Sequence, residues 1–244
     1  SLVESNSKQR ILAIFPHPDD EITVAGTIRS LKKDGHEVRL LCLTKGEKGK
    51  SSGIQDEKYL AELRAKEMTQ AAEILELDEL RLLELPDSGL EAIGEDSIKK
   101  VALEMIEEVN PDVLISYDSK VGLYGHSDHL TTGKAIEELF LENKEKAGFS
   151  PKQLFQVTLC QKQVEVALKL SAGFQRNYPE DTEQGLPRPH FSIPTQQHFT
   201  EVKKVLNTHQ SQQKVLKDLM PFHDKVPAWI YSRVFDREYF VEIK

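Results

Sequence analysis

Cysteine is scarce in this chain. Its 244 residues hold only Cys42 and Cys160, far apart and in no CxxC pair. That excludes a disulfide scaffold and a cysteine-rich zinc site, and it makes a reducing compartment, the cytoplasm, the expectation. Long hydrophobic runs are missing too. The longest early one, 11–15, is too short for a membrane span or a signal-peptide core. There is no basic surplus: 32 Lys and Arg stand against 40 Asp and Glu, a formal net charge of −8. A nucleic-acid partner is therefore not expected. No internal repeat and no linker-like stretch breaks the chain. Apolar residues make up 39% and charged residues 30%. That fills a core and excludes a disordered, collagen-like or bare coiled-coil chain. One domain over 1–244 is expected, with 1–10 as an N-terminal tail.

The first two-thirds alternate strand-like and helix-like segments. Residues 11–15 (ILAIF) form a short continuous apolar run, the pattern of a strand buried on both faces. Further strands are expected at 36–43, 80–85, 113–115 and 154–159. Helices are expected at 21–34, 56–76, 96–109 and 129–144, with Gly35 and Asn110-Pro111 as stop signals. Repeated βα units imply a mostly parallel, Rossmann-like sheet with helices on both faces, a three-layer α/β/α sandwich. Residues 171–198 carry four prolines and few aliphatics and read as a long substrate-side loop. A helix near 198–219 and a strand-like piece at 229–235 (WIYSRVF) close the chain.

Two clusters carry chemistry. The first expected strand runs into Pro16-His17-Pro18-Asp19-Asp20-Glu21, and the fourth is followed by Tyr124-Gly125-His126-Ser127-Asp128-His129. Ligands of open parallel sheets bind beyond the carboxyl ends of strands. An imidazole and three carboxylates crowded at such an end need solvent, partners or a divalent cation. His17 and Asp20, three apart, can meet one ion, and so can one histidine of the second cluster, leaving an open position for water. Asp19 points elsewhere and is free to accept a proton. The bland alternative is a helix N-cap with an acidic first turn and two surface histidines. Two histidines and a carboxylate also describe non-haem iron sites, so Fe²⁺ stands beside Zn²⁺.

On these motifs the chain resembles the LmbE-like (PIG-L) zinc-dependent N-acetylglucosaminyl deacetylases. The matching residues are 16–21 (PHPDDE) and 126–129 (HSDH). Softer matches lie at 43–49, 64–67, 85–90, 111–114 and 204–212, the last reading KVLNTHQSQ. The resemblance implies one zinc bound by His17, Asp20 and His129, and Asp19 as general base on the attacking water. It also implies that His126 stabilises the oxyanion or protonates the leaving amine, with Asp128 holding His126 oriented and favouring its charged form. The implied substrate is a small amino-sugar conjugate bearing an N-acetyl group, and self-association into a homo-oligomer is a further implication.

Other residues carry two readings each. Arg64 makes a surface i, i+3 pair with Glu67 or holds a substrate oxygen. Tyr124 packs in its loop or donates to substrate. His209 reads as a surface or helix-packing residue rather than a ligand. Phe174, Tyr178 and Phe191 pack locally or stack on a sugar ring. Two rival functions remain. Residues 44–51 (TKGEKGKS) nearly fit a phosphate-binding loop, with Asp118 as a magnesium partner. The chain also fits a non-catalytic sugar-binding domain of the same fold.

Overall fold

Apolar stretches in the first two-thirds of the chain set the sheet, and those of β1 and β4 are too uniformly apolar to leave either face in water. The computed structural model describes residues 7–49, 53–220, 223–225, 227, 233 and 235–244. Its strands are β1 (Arg10–Phe15), β2 (Glu37–Thr44), β3 (Glu79–Leu85), β4 (Val113–Tyr117), β5 (Gln153–Thr158), β6 (Phe191–Pro194) and β7 (Arg237–Ile243). The spatial order is β3-β2-β1-β4-β5-β7-β6. The first five run parallel, while β7 pairs antiparallel with both β5 and β6.

Along β1 the side chains alternate between two cores. Ile11, Ala13 and Phe15 meet α1 (Ala25–Lys33), α2 (Glu57–Leu75) and α9 (Phe199–Thr208) through Ile28, Met68 and Val205. Leu12 and Ile14 meet α4 (Glu95–Val109) and α6 (Ser127–Asn143) through Ala102, Met105 and Ile136. The sheet is thus covered on both faces, as the βα alternation predicts. Strand order reverses at β1, whose neighbours are β2 and β4. The crevice beyond the carboxyl ends of β1 and β4 is therefore the topological switch point, where ligands of such sheets bind.

Several elements depart from expectation. The helix expected from residue 21 begins as a 3-10 turn, Asp20–Val24, and becomes α-helical only at Ala25. Residues 171–198 are not one loop. They contain α8 (Ala172–Asn177), two 3-10 turns and β6. An unforeseen helix, α7 (Gln161–Leu170), precedes them. The closing helix is broken at His209 into α9, a 3-10 turn and α10 (Gln213–Leu219). Short helical turns α3 (Leu90–Ile93) and α5 (Gly122–Gly125) complete the list. The expected strand at 229–235 lies, apart from 233 and 235, outside the described residues, and the last described strand is 237–243. The phosphate-loop reading is corrected here. It needs a helix starting at the glycine-rich turn, whereas 53–56 are irregular and α2 begins at Glu57. Asp118 is engaged as well, its oxygens accepting from the backbone of Lys120, Val121 and Leu123.

Glu238 of β7 joins the C-terminal strand to the front of α1. Its two carboxylate oxygens accept from the backbone N–H of Gly26 at 2.9 Å and of Thr27 at 2.8 Å. These are first-turn donors with no intrahelical partner, at the positive end of the helix. Glu238→Ala is expected to lower the unfolding free energy by about 2 kcal/mol, read by urea denaturation. A change below about 0.5 kcal/mol, the size of an ordinary surface substitution, would mean that water replaces the carboxylate without loss.

Candidate metal and catalytic site

The chain leaves β1 at Phe15 and turns through His17-Pro18-Asp19 into the 3-10 turn. Asp19 adopts φ 101°, a left-handed conformation costly for a residue with a Cβ. Two contacts hold it there. Its backbone N–H donates to Glu21 Oε2 at 2.9 Å, and its Oδ2 lies 3.2 Å from Arg64 Nη2. The turn places Asp20 inward, where its Oδ2 accepts from the His17 backbone at 2.7 Å. Asp20 Oδ1 accepts from Tyr117 Oη at 2.7 Å and faces His129 Nε2 at 3.2 Å.

Each histidine is oriented by a group behind it. His17 Nε2 donates to Asp128 Oδ2 at 3.1 Å and lies 3.2 Å from Asp87 Oδ1, so its Nδ1 faces Asp20 Oδ2 at 3.4 Å. His129 Nδ1 donates to the Gly122 carbonyl at 3.2 Å, so Nε2 faces the cluster. The ring also stacks on Tyr117, centroids 4.1 Å apart. Gly122 has φ +66°, and a Cβ there would sit 2.8 Å from the His129 Cβ. Glycine is thus required where this loop crosses the helix. His126, the N-cap of α6, accepts at Nδ1 from the Asp128 backbone N–H at 3.2 Å. Its neutral tautomer therefore carries the proton on Nε2.

The donor set suits a divalent cation. One nitrogen each of His17, His126 and His129 converge within 4.8 Å of one another. Asp20 places one oxygen against His17 and the other against His129. Burial opposes charge on His17, but Asp128, Asp20 and Asp87 outweigh it and hold its pKa well above the usual imidazole range. The surrounding carboxylates thus favour positive charge on His17. His17 and His129 each donate one ring nitrogen to a carboxylate or carbonyl, an arrangement that also orients metal-binding imidazoles.

Burial raises the Asp19 pKa to about 6, against the pull of Arg64, in the range suited to a base near neutral pH. Burial also lowers His126 to about 4, with His129 and His17 adding to the effect. This corrects the expectation of a charged His126. Asp128 is corrected with it: its carboxylate does not reach His126. It accepts instead from His17, Ser88 and Leu90, and only its backbone N–H meets His126. Residues two apart on a helix do not face each other.

Arg64 is buried at the site rather than paired with Glu67. Its guanidinium donates to the carbonyls of Gly46 and Pro18 and to Asp19, so it positions this loop, and Glu67 accepts instead from Ser211. Tyr124 lines the cavity, its ring 5.2 Å from His129 and 5.8 Å from Phe174. Phe174 also lines it, with Tyr178 stacked behind. Phe191 is corrected as a stacking candidate, since it packs between Phe155 and Phe240 over the sheet.

Sequence reasoning passed over Asp87, Tyr117, Glu21 and His209. Asp87 and Glu21 were visible within the matched motifs 85–90 and 16–21. His209 is fully buried, its Nε2 2.5 Å from Glu21 Oε1, while Glu21 Oε2 holds the Asp19 backbone. The break between α9 and α10 brings it there.

A mostly parallel α/β sheet with a histidine and carboxylate cluster at its switch point defines the class: an open-sheet protein built around a candidate metal centre. The family model described as "PIG-L: GlcNAc-PI de-N-acetylase" matches residues 12–140, more than half of the chain, and the chain belongs to that family. A probable N-acetyl-alpha-D-glucosaminyl L-malate deacetylase 2 of Bacillus anthracis is 35% identical over 54% of this chain and 59% of its own length. A diacetylchitobiose deacetylase of Thermococcus kodakarensis is 33% identical over 52% and 48%. The chain thus spans about half to three-fifths of the length of these curated relatives. Among solved structures, N,N'-diacetylchitobiose deacetylase from Pyrococcus horikoshii superposes with TM-score 0.70 at 20% identity, over 96% of this chain and 84% of its own. The 4-carboxy-2-hydroxymuconate hydratase GalB of Pseudomonas putida superposes with TM-score 0.66 at 16% identity, over 97% and 96%. Both likenesses are of fold.

The His209–Glu21 pair generates a pH prediction. Burial opposes charge on His209, but the Glu21 carboxylate outweighs it, and the pKa is raised. A raised folded value means that the pair's stabilisation is complete below the unfolded imidazole's pKa of about 6.5 and is lost as pH rises through the folded value. His209→Gln should destabilise by about 2–4 kcal/mol at pH 6 and by clearly less at pH 9, in urea titrations of both proteins. Equal losses at the two pH values would show that protonation of His209 contributes nothing to stability.

Proposed function

We propose that the chain is a zinc-dependent hydrolase that removes the acetyl group from an N-acetylglucosamine-type conjugate, working as one domain in the cytoplasm with one metal per chain. Supporting the compartment, both cysteines are free and no described helix is long and apolar enough to cross a membrane. The observation that carries the activity is the position of Asp19. Its carboxylate lines the same cavity as His17, Asp20 and His129, with Arg64 on its side chain and Glu21 on its backbone. A helix cap or an inert scaffold does not need a strained, desolvated carboxylate aimed into a cavity.

In this reading His17, Asp20 and His129 hold the ion. Zinc, when bound by such a set, polarises the amide carbonyl and lowers the pKa of water to about 7. Asp19 accepts a proton from the attacking water as the new C–O bond forms. His126 presents Nε2–H to the oxygen that gains charge, with the tautomer set by the Asp128 backbone. Asp19 then passes its proton to the nitrogen as the C–N bond breaks, which releases acetate and a free amine. Asp128 and Asp87 act one step back by orienting His17, and Arg64 positions Asp19. Tyr124 borders the substrate. The curated relatives support an amino-sugar substrate through their names.

Amine release from a panel of N-acetylglucosamine conjugates, with zinc present and with zinc chelated, tests the reading directly. Asp19→Asn keeps the shape but cannot accept the proton. It should lower kcat by about 10²–10⁴-fold with metal content by mass spectrometry unchanged, and near wild-type turnover would sink its assignment. The two histidines of 126–129 should separate. His129→Ala should lose metal and turnover together, whereas His126→Ala should keep metal and lose turnover. Equal metal loss in both would make His126 a ligand and close the open position that the reaction needs.

A further inference from the structure

The cavity that contains the cluster measures about 520 Å³ and is lined very differently at its two ends. One end is the histidine and carboxylate cluster with Arg64. The other is a wall from the C-terminal half: Val166 and Leu170 of α7, Phe174 of α8, Leu216 and Leu219 of α10, and Met220. A polyhydroxylated group pressed on this wall would leave buried hydroxyls without partners, which is unfavourable. Polar side chains also line the cavity, among them Gln163 of α7, Thr195, Arg237 and Tyr239, and two others, Thr158 and Glu238, are already engaged. Thr158 Oγ1 donates to the Pro187 carbonyl, and Glu238 accepts from Gly26 and Thr27.

A second observation lies on the outside of the same wall. Among the described residues five large apolar side chains are exposed, and three of them are on α7: Val166 at 39%, Leu168 at 37% and Leu170 at 51%. Of these, Val166 and Leu170 are four apart and share one face of the helix, whereas Leu168 lies off it, and exposed apolar groups beside a pocket mark a binding surface. Val166 and Leu170 belong to both the exposed set and the cavity lining, so the apolar wall continues to the surface at α7.

We propose that the amide substrate carries an alkyl chain, and that this chain lies along the wall of α7, α8 and α10 while the amide sits at the metal cluster. The proposal deepens the deacetylase reading and rests on it for the polar half of the substrate. The chain has two sources, the group attached to the amino sugar or a longer acyl group in place of acetyl. Burying methylenes on such a wall should tighten binding by about fourfold each.

The test uses the zinc-loaded full chain and two substrate series: methyl, butyl and hexyl glycosides of N-acetylglucosamine, and N-acetyl, N-butanoyl and N-hexanoyl glucosamine. Affinity is measured by calorimetry on Asp19→Asn protein, and kcat/KM by amine release on otherwise wild-type protein. From the shortest to the longest member Kd should fall by on the order of 10³-fold if the glycoside series fills the wall, or on the order of 10²-fold if the acyl series does, and Leu170→Asp should remove most of that gain. Leu168→Asp, on the same helix but outside the cavity lining, should keep it. A flat series in both arms overturns the proposal, and so does a Leu168→Asp effect equal to that of Leu170→Asp, which would mark a general surface patch. Chain-length-dependent binding without amine release from any member would instead sink the deacetylase reading and leave the alkyl site standing. Amine release with no chain dependence would do the reverse.

Discussion

Burying a carboxylate away from water is unfavourable by several kcal/mol unless it is paired or hydrogen-bonded. The crevice beyond β1 buries Asp20, Asp87 and Asp128 around one imidazole, His17. Much of the surrounding chain follows from satisfying them. Asp128 accepts from the backbone of Ser88 and Leu90, which fixes the loop after β3 against the start of α6. Asp87 accepts from the Lys48 backbone and brings in the turn after β2. Asp20 takes the hydroxyl of Tyr117 at the end of β4. Loops from four parallel strands thus meet at one charged knot. The cation set and the fold around it share the same hydrogen bonds.

Asp19 shows how this constraint reaches the chemistry. Its side chain meets Arg64, whereas that of the adjacent Asp20 faces His17 and His129, so neighbours in sequence have different partners. The strain of its left-handed backbone persists because it is over-determined. Arg64 reaches the same loop from α2 and bonds the carbonyls of Pro18 and Gly46 as well as the Asp19 side chain. Glu21 holds the Asp19 backbone, and buried His209 holds Glu21. A segment almost two hundred residues away therefore helps hold Asp19 in place.

Strands β1, β2, β4 and β5 were legible because each is largely buried on both faces and bounded by turn signals, and the half-buried edge strand β3 because leucines recur along it. The clusters at 16–21 and 126–129 were legible for a related reason, since so many imidazoles and carboxylates at strand ends need a shared partner. What was not legible is long-range or directional. The sequence neighbour of His126 is Asp128, yet helix geometry turns that carboxylate to His17, which is remote in sequence. His209 looked like a surface residue because nothing local marks the break between α9 and α10. The β6–β7 pair was missed because its strands are partly exposed, and their mixed side chains carry no clear period. Glu238, a charged residue mid-strand, reads as solvated until the front of α1 is seen beside it.

The lining of the cavity divides along the chain in the same way. The residues that hold and surround the metal set, from His17 to His129, fall inside the 12–140 stretch that the family model matches. The apolar wall of the cavity comes from α7, α8 and α10, outside that stretch. A superposable hydratase shows that this fold carries more than one kind of chemistry, so fold alone selects neither reaction nor substrate. The switch point explains how the two parts vary separately. Parallel strands β1 to β4 present the polar cluster from one side of the crevice, and the C-terminal helices close it from the other. Substitutions on that second wall can change what fits in the cavity without touching the carboxylate contacts that hold His17, Asp19 and Asp20 in place.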